Sequence, residues 1–441
     1  MTMNRFDGYM NAVIGHGLRH RDPFASYGFG PGNIISDIDA ANLYTYNGIA
    51  QKIIDAPANE AVKQGFSLRE NETELAQTKQ VMSVLEDLRA DERFSRALSW
   101  NRLYGGAAVL MIADDGAAEL SEPLNENRLN YIERLDVFEP PDITTQDIFL
   151  YDDPRDPRYG RPQYYQLTGY YGGTFLVHES RLLLFRGDPL PRDQRRMRND
   201  WGGKVFERIA AELQNYNNGL SLGLMALSRL SQGVLKLNGL AGKLSNDFGE
   251  TQVRKRLQLI DMARHMMNTV ALDSDDDYDQ KNTPLAGVQE VIQEFQVALS
   301  AVTDIPVTIL FGRSPAGQNA TGEADFQNFY NMVRRIQTRT LKPQLSRLVD
   351  LIGKCKNYKI SLPSEYTLEF APLRTPTEKE IAETRNLAGQ AEKNRADAWD
   401  TLIKSGTVYP EEIRDKIEAE GLYPIDRTLD DDRQQGGGNE P

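Results

Sequence analysis

Gly219-Leu220-Ser221-Leu222-Gly223 has the glycine–serine–glycine spacing that, on a strained strand-to-helix turn, exposes a nucleophilic serine. Its surroundings argue otherwise. Ile209, Leu213, Tyr216, Leu220, Leu224 and Leu227 recur by threes and fours straight through the motif, which predicts unbroken helix. Only His265 follows it in the chain order a triad base requires, and it too sits in a helical pattern. Gly312-Arg313-Ser314-Pro315-Ala316-Gly317-Gln318-Asn319 has the glycine spacing of a phosphate-binding loop. Gln318-Asn319 stands where that loop needs lysine and a hydroxyl, so nothing reaches the phosphates or a magnesium ion. His16 and His20 lack the glutamate of a zinc helix, and the acidic run Asp273–Asp279 lacks the glycine and closing glutamate of a calcium loop. Cys355 is the only cysteine, which excludes an internal disulfide and a cysteine zinc site. No catalytic constellation, metal site or cofactor is expected. The glycines around Ser221 read as places where two helices approach closely.

The elements that would carry these residues are long. Leu285, Val288, Ile292, Phe295, Leu299 and Val302 form a heptad seam on a helix that Pro306 stops. The seam is expected to face neighbouring copies of the chain, the alternative being the chain's own core. Ile305 to Asn319 is too punctuated for regular structure, and Thr321, with Glu323 and Asp325 behind it, opens a helix running towards Leu351. Upstream, Tyr46–Gly65, Thr73–Leu88 and Phe94–Leu103 read as helices, with Gly105-Gly106 ending the third before a buried strand from Ala107 to Ile112. Leu135–Phe138, Tyr164–Leu167 and Leu182–Phe185 read as strands, and Gly172-Gly173 as a hairpin turn. Tyr366–Phe370 is a short strand; Thr377–Lys404 and Glu411–Glu420 are charged helices.

The 441 residues carry a net charge of −13, with 40% hydrophobic and 26% charged residues. That is ordinary for a globular protein, but it denies the chain the basic footprint of a tight nucleic-acid binder. Any contact with nucleic acid must be local and sliding. Arg192, Arg195, Arg196 and Arg198 form one basic cluster, and Arg334, Arg335, Arg339, Lys342 and Arg347 a second; each reads first as a solvated face. The longest apolar run, Ala107–Ala113, is far short of a membrane span, and Met1–Phe6 lacks the pattern of a secretory signal, so assembly in a cytoplasm is expected.

Four passages stand in a shared order: Tyr46–Pro57 with Gly65-Phe66, Leu103–Ala108, Val177–Gly187 and Thr303–Gly312. Together they resemble the portal (head-to-tail connector) proteins of tailed bacteriophages. The resemblance implies an α+β subunit with a mixed wing, long stem helices, a small clip and a helical crown. It divides the chain into an arm (1–45), a wing (46–204), a first stem helix (205–232), a clip (233–282) and a second stem helix (283–303). A tunnel loop (304–320), a wing helix and strand (321–375), the crown (376–428) and a disordered tail (429–441) complete it. It also implies a ring of about twelve copies at one vertex of a virion capsid, closed by head-to-tail interfaces. Double-stranded DNA would pass through the ring during packaging and ejection. Terminase, the major capsid and scaffolding proteins and a head-tail adaptor would be its partners, with no membrane. Arg313, Ser314, Gln318 and Asn319 would line the narrowest point of the bore. The alternatives are a non-portal oligomeric scaffold or adaptor and, more remotely, a serine hydrolase through Ser221.

Overall fold

The computed structural model describes residues 35–70, 73–145, 149–228, 231–236, 251, 253, 255, 277–282, 287–312, 323–374 and 378–419. Two compact units emerge, one ending at Leu373 and one starting at Arg374.

The first unit is α+β. Its order is set by an opening helix pair, Asp37–Tyr46 and Gly48–Lys63. The first of these corrects the last part of the irregular arm expected over residues 1–45, of which 1–34 lie outside the described residues. Ser36 caps it, its Oγ accepting from the Asp39 N–H, and Ile35 and Ala40 are buried beneath it. The Ser-Asp-Ile-Asp start was the available signal. Asn47 caps the second helix through Oδ1, which accepts from the Ile49 and Ala50 amides. Pro57 lies inside this helix and cannot donate to the carbonyl of Ile53. That carbonyl accepts instead from the Arg102 guanidinium at 3.0 Å. Arg102 belongs to the Ala90–Tyr104 helix, so a missing backbone bond is repaired by cross-helix packing.

Gly105 turns that helix into the strand Gly106–Asp114, which pairs antiparallel with Tyr131–Phe138 and Leu182–Arg186. Gly105 adopts φ 82°, and its carbonyl accepts from both the Gly187 and Gly202 amides. A Cβ there would sit 2.3 Å from the Gly202 oxygen, so only glycine allows three backbones to meet. A second sheet joins Ile143–Thr145, Tyr164–Thr168 and Thr174–His178, with the expected hairpin turning at Gly172. Thr367–Phe370 pairs with Phe66–Glu70, which in turn pairs with Thr73–Glu74. The helix expected over Thr73–Leu88 therefore starts at Thr78.

Beneath the sheets, Arg181 and Asp115 form a buried ion pair at 2.7 Å, 1% and 2% exposed. Arg181 Nε also donates to the Glu122 carbonyl, and Asp115 accepts from the Asn125 and Ala117 amides. Those donors hold the Asp115 carboxyl below its ordinary range despite its burial.

From Val205 the chain runs as one long helix to Ser228, then into the strand Ser231–Lys236. That strand pairs antiparallel with Asp277–Asn282. Most of the residues assigned to the clip between them lie outside the described residues. The helix Val288–Thr303 returns alongside Val205–Ser228.

Residues 304–320 were expected to be irregular. Their described part is not, since Val307–Phe311 forms a short helix. Pro306 supplies its N-cap with φ already fixed, and Ile305 and Leu310 anchor it in the core. The next helix, Glu323–Ile336, continues to Lys354 through a π turn at Gln337–Leu341. Pro343 explains the π turn: it lacks an N–H and its ring crowds the preceding turn, and the wider winding accommodates both. Gln337, 2% exposed, spends its amide on the Ala61 carbonyl at the end of the Gly48–Lys63 helix. Cys355 is buried, and burial pushes its thiol up to about 12.

The second unit carries the helices Glu378–Lys404 and Pro410–Ala419, where two charged helices were expected. The expected tail, 429–441, lies outside the described residues.

Candidate functional site

The Val205–Ser228 and Val288–Thr303 helices form an antiparallel pair, and Gly219 and Gly223 are its notches. An added Cβ at Gly219 would lie 2.7 Å from Phe295 Cδ2, whereas one at Gly223 would meet Ile292 and Val288 at 3.4 and 3.5 Å. The glycine–serine–glycine motif is thus a groove for Phe295. Ser221 sits on an exposed helical turn with its Oγ donating to the Asn217 carbonyl, inside continuous helix and not on a strand-to-helix elbow.

The pair also determines where the seam points. Ile292 and Phe295 pack against the chain's own core and Leu299 is fully buried in it. Val288 faces Gly223, while Val302 stays 44% exposed. Leu285 lies outside the described residues. Of the two readings of the seam, the own-core one therefore describes its central residues in the single chain. The heptad was legible, but it marks the contact with the partner helix of the same subunit.

Apart from Val297, 53% exposed on the outer face of its helix, the uncovered apolar side chains named below lie on the edges of the pair. Successive residues rotate about 100° around a helix. Measured from the Gly219–Gly223 contact line, Leu220 and Leu224 are turned roughly 80–120° one way. From the Ile292–Phe295 line, Val291, Ala298 and Val302 are turned roughly 50–90° the other way. In an antiparallel pair, equal senses of rotation fall on the same side. The two sets therefore occupy opposite edges. Leu224 is 67% and Val291 52% exposed, and Leu222 shares the edge of Val291. Leu220 and Leu224 are legible in the sequence as stripe members but not as an edge, because periodicity gives spacing and not which neighbour fills each side.

At the lower end of the pair, the helix Val288–Thr303 closes on Asp304 with φ 56°. Ser300 Oγ donates to the Ile305 carbonyl at 2.6 Å, and Thr303 Oγ1 to the Leu299 carbonyl at 2.8 Å. Arg335 pairs with Asp304 at 3.2 Å across an exposed junction, and Phe311 packs its ring 5.2 Å from Tyr216. The chain thus leaves Gly312 from a firmly held platform. Arg313, Ser314, Gln318 and Asn319 lie outside the described residues.

The two basic clusters are partly committed. Arg195 shares Asp200 with Arg186, Arg198 pairs with Glu207, and Arg347 pairs with Glu126. Among the described residues no group of His, Cys, Asp and Glu is placed to hold a metal, and no helix is long and apolar enough to cross a membrane.

A family model described as phage portal protein matches residues 38–394. An uncharacterized protein of Haemophilus influenzae is 26% identical over 442 aligned positions, covering 99% of this chain and 95% of that protein. A protein of Caulobacter sp. named anti-CBASS protein Acb1 is also 26% identical, over 92% of this chain but only 65% of its own length. Among solved structures, a chain in the neck of an empty GTA particle aligns at 15% identity with a TM-score of 0.48, over 90% of this chain and 95% of its own.

Proposed function

The chain belongs to the phage portal protein family, and on that basis we propose that its copies close side by side into a ring that conducts double-stranded DNA. The observation that carries the ring is the pair of apolar edges on opposite sides of one two-helix layer. An edge made of Leu220 and Leu224 on one copy meets the edge of Val291 and Val302 on the next. Each copy uses both edges, so the contact is head-to-tail and a closing rotation yields a ring. Burying the exposed part of each side chain contributes about 1 kcal/mol, repeated at every interface.

In this reading the molecule is a structural component of a virion, standing at a capsid vertex, and not a catalyst. Arg313, Ser314, Gln318 and Asn319 are assigned in this reading to the lining of the bore's narrowest point. A net charge of −13 favours passage over retention, because an acidic wall repels phosphate and leaves only a few local donors to touch it. Residues 233–282 are the clip that receives terminase in this reading, and head-tail adaptors, capsid and scaffolding proteins bind the assembled ring. The name anti-CBASS belongs to a relative about a third of whose length this chain does not match, and nothing in the described site favours carrying it over.

A mixing experiment tests the head-to-tail contact. Leu224→Glu and Val302→Glu each spoil one edge, and each alone leaves the protein below ring size on native mass spectrometry. Mixed, the two variants retain one intact pair of edges and form a heterodimer that grows no further. Rings from either single variant, or no heterodimer on mixing, would count against this interface.

A further inference from the structure

A cleft of about 280 Å³ opens where the end of the strand Leu182–Arg186, the turn before the strand Tyr164–Thr168 and the π turn Gln337–Leu341 meet. Arg161, Arg186 and Arg339 line it together with Thr340 and Gln344. Glu179 is the one carboxylate on its wall, and it is already engaged by the Arg158 guanidinium at 2.8 Å and the Tyr151 hydroxyl at 2.9 Å. Among the described residues no carboxylate pairs with Arg161 or Arg339, and Arg186 must share Asp200 with Arg195. Burial, together with the neighbouring charges of Arg161 and Arg195, draws the Arg186 guanidinium below its ordinary range. Like charges have been gathered at this point in a chain that is acidic overall.

We propose that this cleft binds a phosphate group. Three guanidiniums, a hydroxyl and a side-chain amide from three separate elements offer more N–H and O–H donors than the two oxygens of a carboxylate can accept. A phosphate has the oxygens to take them. The cations are all arginine, whose planar fork suits bidentate recognition of such an anion. The space is that of a small ligand and not of a duplex. The phosphate comes either from a free ion or small phosphorylated molecule, or from the terminal phosphate of a nucleic-acid strand. The π turn gains a purpose here, since it carries Arg339 and Thr340 to the cleft.

Calorimetric titration of the full chain with inorganic phosphate, pyrophosphate and a short oligonucleotide with or without a 5′-phosphate tests this, with sodium chloride holding ionic strength constant. Saturable binding is expected, weakened roughly tenfold or more by Arg161→Ala or Arg339→Ala and unchanged by Arg155→Ala, an exposed loop arginine. Both cleft variants remove exposed side chains, so their thermal unfolding should match wild type and a loss of binding reads on the site. Binding of the free ions assigns a small ligand, and binding confined to the phosphorylated oligonucleotide assigns a strand end. No saturable binding of any probe, equal binding by the Arg161→Ala/Arg339→Ala double variant, or acetate binding as tightly as phosphate would overturn the proposal. The readout is indifferent to whether copies form a ring.

Discussion

Replacing Gly219 by alanine should destabilise the helix pair, whereas the same change at Gly223 should stabilise it. Both residues lie in one helix, so helix propensity favours alanine at each by about 1 kcal/mol. The difference is the facing side chain. A methyl at Gly219 falls 2.7 Å from Phe295 Cδ2 and 2.8 Å from Cε2, about 1 Å inside the usual carbon–carbon separation. Overpacking of this kind costs about 1–3 kcal/mol. At Gly223 the nearest atoms stand at 3.4 and 3.5 Å, an ordinary contact. The two variants should therefore differ by about 1–3 kcal/mol in opposite directions from wild type. Urea unfolding followed by far-ultraviolet circular dichroism measures the difference, and hydrogen exchange within residues 205–228 locates it. Adding Phe295→Leu to Gly219→Ala should recover stability non-additively, with a coupling of about 1 kcal/mol. Equal stabilisation by the two alanines would refute the notch, and with it the account of why the glycine–serine–glycine motif is there.

Other expectations follow from the buried groups. Arg181→Met leaves Asp115 charged without its partner and should cost about 3–5 kcal/mol at neutral pH. Because Asp115 is held below its ordinary range when folded, its contribution is present above about pH 4 and is lost as pH falls through the folded value. Arg181→Met should therefore flatten the acid side of the stability–pH curve, as thermal unfolding at a series of pH values would reveal. Arg102→Met orphans the Ile53 carbonyl opposite Pro57 and should cost about 1–3 kcal/mol in the same urea assay. Cys355 should resist a thiol-specific reagent at pH 8 in native protein and react fully in denaturant, since burial keeps its thiol protonated.

Much of the fold was legible because its signals are local. The apolar run Ala107–Ile112, the Gly105-Gly106 junction, the Gly172 turn and the two charged helices after Arg374 each announce themselves within a few residues. The helix Asp37–Tyr46 was also locally marked by Ser36, yet it reads as an arm when the surrounding glycines and asparagines dominate the window. The short helix Val307–Phe311 was hidden by the proline that starts it. The seam shows the harder limit. Its period fixes that Ile292, Phe295 and Leu299 share a face, but only three-dimensional placement shows that the face is filled by Gly219 and the core. The phosphate cleft was invisible for the same reason, since Arg161, Arg186 and Arg339 come from three distant segments.

Electron microscopy of the purified chain tests the central claim most directly. Closed rings of identical copies around a central hole are the expected result, lost in Leu224→Glu. A protein that remains a single subunit at all concentrations, or that stacks into open filaments with those apolar edges still uncovered, would contradict it.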